Sequence, residues 1–377
     1  MLLTVALASL ALISLALTLW QCWAAARFPL HQRVAPAHTP PVTLLKPLEG
    51  CDAETEACLR SWFLQEYPGE RQILCAVASA DDPVCAIVRR LIAAHPECDA
   101  ALVVCAQPLG PNAKVSQLAQ AERSARHPFI VVSDADVRVP RDFLSQVLGP
   151  LRDPEAGLVS CLYRLANPSN LAMRWEAFGT NADFWGQVLQ ARMLRPMDFA
   201  LGAVMAFRRA DLTAVGGFAG LVDYLADDYQ LGHGIARRGG RVILCPVVVD
   251  CWSGPTTWRE AWHHQIRWAR TIRACRPAAY FFSLLSNGTL WPVLWALARP
   301  EPLVVAVVGG CVAVRALTAL WSECRMNRNL DFRSLWLAPV KDLVQVVIWG
   351  LAFTGNHVRW GGRRLCVLRG GRLARPA

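Results

Sequence analysis

Two aspartates at the end of an apolar run are the residues of this chain most suited to chemistry. Residues 129–132 form a short β-compatible run, and Asp134 and Asp136 follow it almost at once. Because side chains alternate along an extended chain, both carboxylates point to the same side. Mg²⁺ prefers oxygen ligands and usually keeps waters and substrate phosphates around it. The spacing therefore indicates a site for a metal–diphosphate complex, and a solvated, aspartate-rich turn is the alternative.

Two further acidic pairs occur at places where a catalytic site could form. One pair ends at Asp82 and follows the apolar run 72–77, at a second predicted strand end. The other pair, Asp227 and Asp228, precedes the helical run 230–237. Aspartate also favours the N-cap position of a helix, so capping is the alternative to catalysis. Both interpretations hold together if Asp227 caps the helix and Asp228 reacts.

A basic, tryptophan-rich stretch forms the fourth candidate element. Arg267, Arg270 and Arg273 recur at helical spacing, and Trp268 stands beside the first of them. A basic amphipathic helix resting on lipid would have this composition. Alternatively, Arg267 faces a diphosphate while Trp268 closes the site, because a guanidinium binds phosphate oxygens well. The helix can serve both purposes with different faces.

Short strands and helices alternate before these elements and must position them. The predicted strands are 42–45, 72–77, 101–105 and 129–132, and the predicted helices are 54–65, 83–95 and 114–126. Such alternation predicts an α/β domain with a parallel sheet covered on both faces. Ligands bind such sheets beyond the carboxyl ends of the strands. The segment 198–203 is predicted either to line the sugar or acceptor pocket or to be an ordinary approach to a strand.

The first 26 residues carry no charged side chain and are long enough to cross a bilayer. A cleaved signal peptide is the alternative, but positive charge follows the apolar stretch, at Arg27 and Arg33, instead of preceding it. We therefore expect a retained anchor, with the N-terminus outside and the following domain in the cytoplasm.

The last third of the chain is again apolar, with predicted membrane segments at 277–298, 302–321 and 335–357. Three full crossings would put the basic tail outside, against the positive-inside tendency. One segment is therefore expected to re-enter or to lie in the interface. The predicted organisation is a transmembrane anchor (1–26), a linker (27–41), a cytoplasmic catalytic domain that includes the Arg-Trp helix (42–276), two or three membrane segments (277–357) and a basic tail (358–377).

Composition supports a membrane protein. The chain has 377 residues, of which 54% are hydrophobic, and a net charge of +10; its mean hydropathy is +0.27. The arginine-rich stretches flank apolar segments, so anionic lipid headgroups are favoured over nucleic acid as partners. The 14 cysteines include no CxxC pair. Buried, reduced thiols are expected.

Taken in order, these motifs resemble those of the ceramide glucosyltransferase family. That family has a GT-A (Rossmann-like) fold, three separated aspartates and a Q/R-x-x-R-W motif. The residues that carry the resemblance are 44–50, 81–83, 111–114, 133–138, 226–229 and 266–268. The N-terminal anchor and the C-terminal apolar region are also similar. Bacterial hopanoid-associated glycosyltransferases look similar too, so the acceptor stays open.

The resemblance implies a role for each aspartate. Asp82 would contact the base or ribose of the nucleotide, Asp134 and Asp136 would bind the metal, and Asp228 would be the catalytic base. Lys114 and Arg267 would add positive charge beside the diphosphate.

Trp268 would help to bind the nucleotide-sugar. His264 stands where the family motif has Gln or Arg, and Gln265 lies one place further along. This difference puts the role of the first residue of the motif in doubt.

The expected activity is an inverting transfer of a hexose from a UDP-sugar to a lipid hydroxyl, with Mg²⁺ or Mn²⁺ as cofactor. Glucose and ceramide follow from the resemblance, and N-acetylglucosamine with a hopanoid lipid is the first alternative. A processive polysaccharide synthase and a non-catalytic, metal-binding membrane scaffold are the others. The expected location is a bacterial inner membrane, with the catalytic domain in the cytoplasm and no nucleic-acid partner.

Overall fold

The computed structural model describes residues 1–35 and 38–374. Part of the predicted linker and the last three residues of the predicted tail therefore lie outside the described residues. The helices are α1 Leu2–Arg27, α2 Thr55–Phe63, α3 Val84–Ala94, α4 Ala113–Ala121, α5 Phe143–Leu148, α6 Leu171–Phe178, α7 Trp185–Leu194, α8 Arg209–Ala214, α9 Asp227–Arg237, α10 Trp258–Cys275, α11 Pro277–Phe282, α12 Leu290–Ala298, α13 Pro302–Asn327 and α14 Leu337–Phe353. The strands are β1 Val42–Leu48, β2 Arg71–Val77, β3 Asp99–Val104, β4 Phe129–Ser133, β5 Val137–Arg138, β6 Ala156–Leu165, β7 Val204–Arg208, β8 Arg241–Cys251, β9 His357–Trp360, β10 Arg363–Val367 and β11 Leu373–Ala374.

Eight strands form one sheet in the order β3-β2-β1-β4-β7-β6-β8-β5. The α/β prediction is confirmed, and all four predicted strands and three predicted helices are present to within a few residues. The four predicted strands run parallel to one another, as expected. The sheet as a whole is mixed, because β7, which was not predicted, runs antiparallel to β4 and β6, and β5 runs antiparallel to β8. The reversal arises because the chain enters β7 beside the carboxyl end of β4, with Val204 opposite Ser133.

Both faces of the sheet are covered. Neighbouring residues of one strand belong to opposite layers: Leu45 packs in one hydrophobic core and Leu44 in the other. Every residue of β1 is buried as a result. This burial on both sides is why the strand sequence is almost continuously apolar instead of alternating. All 14 cysteines are free thiols, and most are buried, as the sequence predicted.

Two helices, α1 and α13, are each 26 residues long and apolar enough to cross a membrane. The predicted segment 277–298 is instead a bent pair, residues 277–286 and 290–298, with an angle of 54° between its halves. Helix α14 has 17 residues, with Lys341 and Asp342 buried in it. It ends before the predicted boundary because the chain enters β9 at His357.

A buried arginine joins the apolar helices to one another. Arg315 on α13 forms ion pairs with Asp183 at 2.9 Å and with Asp342 on α14 at 2.8 Å. The hydroxyl of Thr289, at the start of α12, donates to Asp342 at 2.7 Å. Ionisable groups among apolar helices are costly unless they are paired in this way. The network therefore fixes how the C-terminal helices pack.

The predicted basic tail is folded, which the sequence analysis missed. Strands β9, β10 and β11 form an antiparallel sheet. This sheet packs against the loop before α9, because the backbone N–H of Leu225 donates to the carbonyl of Gly371 at 3.0 Å. Gly371 has φ of +82°, and a Cβ atom there would lie 2.9 Å from the sulfur of Cys275. Only glycine permits both that conformation and that close approach.

Candidate active site

Lys114 connects two of the acidic elements beyond the carboxyl end of β4. Its Nζ atom lies 2.6 Å from Oδ1 of Asp134 and 3.3 Å from Oδ2 of Asp227. Burial would lower the pKa of Lys114, but the two carboxylates outweigh burial and hold that pKa well above its usual value. The fold thus brings together three residues that are far apart in the sequence, around one fixed positive charge.

Asn112 places Lys114 relative to the second acidic pair. Its side chain caps α4 by accepting a hydrogen bond from the N–H of Val115 at 3.0 Å. Its Nδ2 atom donates to the carbonyl of Tyr224 at 2.7 Å. One fully buried amide therefore joins the helix that carries Lys114 to the loop that leads into Asp227.

Asp228 is a carboxylate whose surroundings shift its pKa toward neutrality. Burial, followed by the charge of Asp227, raises its pKa to about 7, and the Lys114 cation opposes this rise. A base works best when its pKa lies near the working pH. The backbone N–H of Tyr229 donates to Oδ1 at 2.7 Å. A Cβ atom on Gly202 would lie 3.0 Å from Oδ2, so the segment 198–203 packs directly against this carboxylate.

The alternative that Asp227 caps a helix is wrong. Ala226 occupies the N-cap position and offers no side-chain cap, while Asp227 is the first residue of α9. The Asp227 side chain is only 9% exposed and pairs with Lys114. Its carboxylate is therefore part of the acidic cluster, where it also acts on the pKa of Asp228.

Asp136 reaches solvent at the edge of the site, while Asp134 is half-buried. The surrounding protein and the neighbouring Asp134 carboxylate raise the pKa of Asp136 to about 6, against the opposing charge of Lys46. In the described ranges 1–35 and 38–374, no three His, Cys, Asp or Glu side chains cluster as metal ligands. Ala135 and Asp136 form a turn, so the extended chain from which the shared direction of the two carboxylates was predicted is absent. Two carboxylates separated by one residue still suit a hard cation that takes its other ligands from water and diphosphate.

Lys46 is a site residue to which the sequence analysis gave no role. It is fully buried on β1, and its ammonium donates to the Ser133 hydroxyl at 3.2 Å and to the carbonyl oxygen of Asp134. Burial lowers its pKa to about 8, although the Asp136 and Asp134 carboxylates act in the opposite direction. The sequence did contain a signal for this role, namely a single lysine within an otherwise apolar strand. The contacts show that it holds the backbone where β4 ends.

Asp82 lies after β2, at the same edge of the sheet. Its carboxylate accepts hydrogen bonds from the N–H of Gly50, at 2.9 and 3.1 Å, and from the N–H of Val84 at 3.0 Å. It thereby fixes the loop after β1 to the start of α3. A carboxylate has about four acceptor positions, so capacity for a ribose or base remains.

Arg267 and Trp268 lie on α10, which begins with a capping box between Thr257 and Glu260. Among the residues that the structure describes, the Arg267 guanidinium forms no ion pair. Burial lowers its pKa, while the charges of Asp134 and Glu176 oppose that shift. The ring of Trp268 packs against Phe184, with centroids 6.3 Å apart. A half-buried cation without a partner is available for an anionic substrate.

Glu176 explains the unusual residues at the start of the Arg-Trp motif. This side chain on α6 is buried, and its Oε1 atom lies 2.5 Å from Nδ1 of His264. The same oxygen accepts a hydrogen bond from Gln265 at 3.3 Å. His264 and Gln265 therefore attach α10 to α6. The sequence did not single out Glu176, since a glutamate in a helix carries no motif of its own.

Nearly the whole chain matches one known enzyme family. The family model of glycosyl transferase family 21 matches residues 5–373. Ceramide glucosyltransferase 1 from Caenorhabditis elegans is 27% identical over 227 residues, which cover 58% of this chain and 47% of that protein. A ceramide glucosyltransferase from Komagataella phaffii is 34% identical over 114 residues, or 29% of this chain and 22% of that protein. The chain thus spans half or less of the length of these curated relatives.

One solved structure is similar over nearly the whole chain. It is the mannosyltransferase PcManGT from Pyrobaculum calidifontis in complex with GDP-Man and Mn²⁺. The TM-score is 0.57 at 23% sequence identity, and the match covers 91% of this chain and 98% of that one. This likeness shows a GT-A-like fold, and this chain carries apolar helices in its N-terminal and C-terminal parts.

Proposed function

The chain belongs to glycosyl transferase family 21, and on that premise we propose that it transfers a hexose from a UDP-sugar to a lipid hydroxyl. Glucose is the first candidate sugar and ceramide the first candidate acceptor, because the curated relatives are named ceramide glucosyltransferases. The observation that carries the proposal is the Lys114-centred cluster of Asp134 and Asp227, with Asp228 beside it. It combines a carboxylate base with fixed positive charge.

The donor is proposed to bind along the carboxyl edge of the sheet. Asp82 would meet the nucleoside, while Lys114, Arg267 and Trp268 would hold the diphosphate and sugar. Asp134 and Asp136 would hold Mg²⁺ or Mn²⁺, which neutralises the departing diphosphate when it is bound. The complex of the similar mannosyltransferase with GDP-Man and Mn²⁺ supports this arrangement.

The transfer is proposed to be a direct displacement with inversion at the anomeric carbon. Asp228 would accept the proton of the lipid hydroxyl as its oxygen forms the new bond to the sugar. The bond to the diphosphate breaks on the opposite face, and its charge develops near Lys114 and Arg267. Lys46 has a positioning role, since it contacts the backbone of Asp134 but lies wholly inside the protein.

A lipid acceptor is supported by the segment directly beyond the Arg-Trp helix. Helix α10 ends at Cys275, and the bent helix pair begins at Pro277. Phe281 and Phe282 on that pair are 53% and 60% exposed. Large exposed apolar side chains next to a site are typical of a membrane-facing surface. The acceptor hydroxyl would then reach Asp228 from the bilayer side.

The position of the C-terminal sheet constrains the topology. Arg270 on α10 donates to the carbonyl of His357 in β9, so both lie on one side of any membrane. The chain between them must therefore cross the bilayer an even number of times. We propose two crossings, by α13 and by the shorter α14, with the bent pair re-entering; the 17 residues of α14 are at the lower limit for a spanning helix. The charges at Arg27 and Arg33 favour a cytoplasmic location for this side, in what we propose is a bacterial inner membrane.

Product analysis tests the proposed function. The purified protein would be incubated with UDP-glucose, UDP-N-acetylglucosamine or UDP-galactose, and with ceramide or a total lipid extract, in the presence of Mn²⁺. Mass spectrometry should find ceramide carrying one hexose. An N-acetylhexosamine on a hopanoid would reassign sugar and acceptor. A long polymer would indicate a processive synthase. No sugar-bearing product from any donor would reject the proposal.

A further inference from the structure

The folded C-terminus presents an unusual charge pattern. Residues 357–374 include five arginines and no acidic residue. All five arginines are exposed. Within the described part of the chain, only Arg372 lies within ion-pairing distance of a carboxylate, that of Asp223 at 3.7 Å. The other four arginines have no acidic partner there to balance their charge.

Two of these arginines face each other directly. Arg359 in β9 is the cross-strand partner of Arg364 in β10. Like charges directly opposite in an antiparallel pair destabilise the sheet. Their neighbours across the same strands, Val358 and Leu365, are buried against Leu225, so the arginine pair lies on the outward face. An anion between the two guanidinium groups would relieve the repulsion.

The sheet lies where the chain leaves the apolar helices. Strand β9 comes closely after α14, whose last residue, Phe353, is 44% exposed. The sheet also rests on α10, which leads into the bent helix pair. The outward face therefore lies near the level of lipid headgroups. Anionic headgroups attract basic groups that lie close to the membrane surface.

The inward face is joined to the segment that leads into α9, the helix that carries the proposed base. The N–H of Leu373 donates to the carbonyl of Asp223 at 2.6 Å. The side chain of Gln230 on α9 donates to the carbonyl of Gly370, also at 2.6 Å. The segment between these contacts is the end of the loop and the first turn of α9, and that turn contains Asp228. A force that holds the sheet in place therefore also holds the start of α9.

We propose that the outward face of the C-terminal sheet, with Arg359 and Arg364 at its centre, docks on anionic phospholipid headgroups and so orders the first turn of α9, which carries Asp228. The docking is independent of the sugar or acceptor. Its effect on turnover rests on the proposed function, since it acts through Asp228.

Hydrogen exchange in lipid nanodiscs tests the proposal. The full chain would be placed in discs of phosphatidylcholine alone, or with about three parts in ten of phosphatidylglycerol. Amides of 357–374 and 222–230 should exchange more slowly in the anionic discs. The double variant Arg359→Gln/Arg364→Gln should lose this difference between the two disc types. Each arginine is expected to account for about fivefold in the protection from exchange. Salt at high concentration should weaken the difference in the unaltered protein.

A matched control removes the same amount of positive charge from a different part of the surface. Arg89→Gln/Arg123→Gln removes two other exposed arginines and should leave the lipid effect intact. Equal exchange of the unaltered protein in both disc types would overturn the proposal. The proposal would also fail if the control variant lost the lipid effect to the same extent as the Arg359/Arg364 variant. Slower exchange on adding soluble glycerol phosphate to neutral discs would assign the face to a free anion instead. Because exchange requires no sugar transfer, a lipid effect without any glycosylated product would reject only the proposed function.

Discussion

Asn112 donates a hydrogen bond to the carbonyl oxygen of Tyr224 at 2.7 Å and thereby joins the two halves of the site. The same side chain caps the helix that carries Lys114. Asn112→Ala removes both contacts, whereas Asn112→Ser retains a capping oxygen but is too short to reach Tyr224.

We expect both variants of Asn112 to lose turnover, because the loop before Asp227 is released in each. Only Asn112→Ala should also lose the capping contribution, about 1 kcal/mol of unfolding free energy. Thermal unfolding and kcat, measured on the same samples, test this difference. Unchanged turnover in Asn112→Ser would show that the contact with Tyr224 does not position the site.

The pH dependence of the reaction should report the ionisation of Asp228. Its pKa is raised to about 7, and a base must be deprotonated, so kcat/KM should rise with pH through about 7. Lys114 lowers that pKa, so Lys114→Met should move the rise to higher pH as well as reduce the rate. A rate profile flat from pH 5 to 8 in the unaltered protein would contradict the assignment.

Gly202 offers a test that leaves every charged group in place. Gly202→Ala puts a methyl group 3.0 Å from Oδ2 of Asp228 and should displace the carboxylate. A misplaced catalytic group can cost about 10²-fold in rate, so kcat should fall by at least about tenfold while donor affinity changes little. Gly149→Ala is the control, since a Cβ there meets nothing within 4 Å. Equal kcat in both variants would argue against this contact.

Metal binding should depend on both members of the Asp-x-Asp pair. Asp134→Asn and Asp136→Asn should each weaken Mn²⁺-dependent UDP binding by at least about tenfold, because even the loss of a group that only supports a metal ligand typically costs about 10- to 100-fold. Asp211→Asn is the control, since Asp211 lies on α8 at the opposite edge of the sheet. Calorimetric titration measures the effect without any turnover. Full affinity in either Asp134 or Asp136 variant would remove that residue from the proposed ligands.

Local sequence signals predicted the half of the sheet from β3 to β4 well. The runs around β1, β2 and β4 are apolar because both sheet faces are covered, and the polar residues after them mark the strand ends. The direction of β7 could not be predicted in this way. The direction of β7 depends on how the chain between α7 and β7 packs. Contacts between residues distant in sequence decide this packing, such as the hydrogen bond that the N–H of Leu201 donates to the hydroxyl of Ser160.

The site was only partly predictable for a similar reason. Aspartates in short motifs were visible, but the pairing of Asp227 with Lys114 depends on tertiary structure and excludes the helix cap that was the alternative interpretation. Glu176 and Lys46 carry no motif, since their importance comes from the residues they contact. The C-terminal sheet did leave a signal that was not used. Val358, Leu365 and Val367 point inward while the residues beside them are more exposed, in the alternation typical of half-buried strands.

Donor binding and sugar transfer, compared in Asp228→Asn, test most directly whether Asp228 is the catalytic base. Asparagine is nearly isosteric but cannot accept the proton of the acceptor hydroxyl. The loss of a general base typically costs about 10²- to 10⁴-fold. We therefore predict that the variant keeps its thermal stability and UDP-sugar affinity while the rate of hexosyl-lipid formation falls by that factor. A stable, donor-binding Asp228→Asn protein that forms the product at the normal rate would contradict the account.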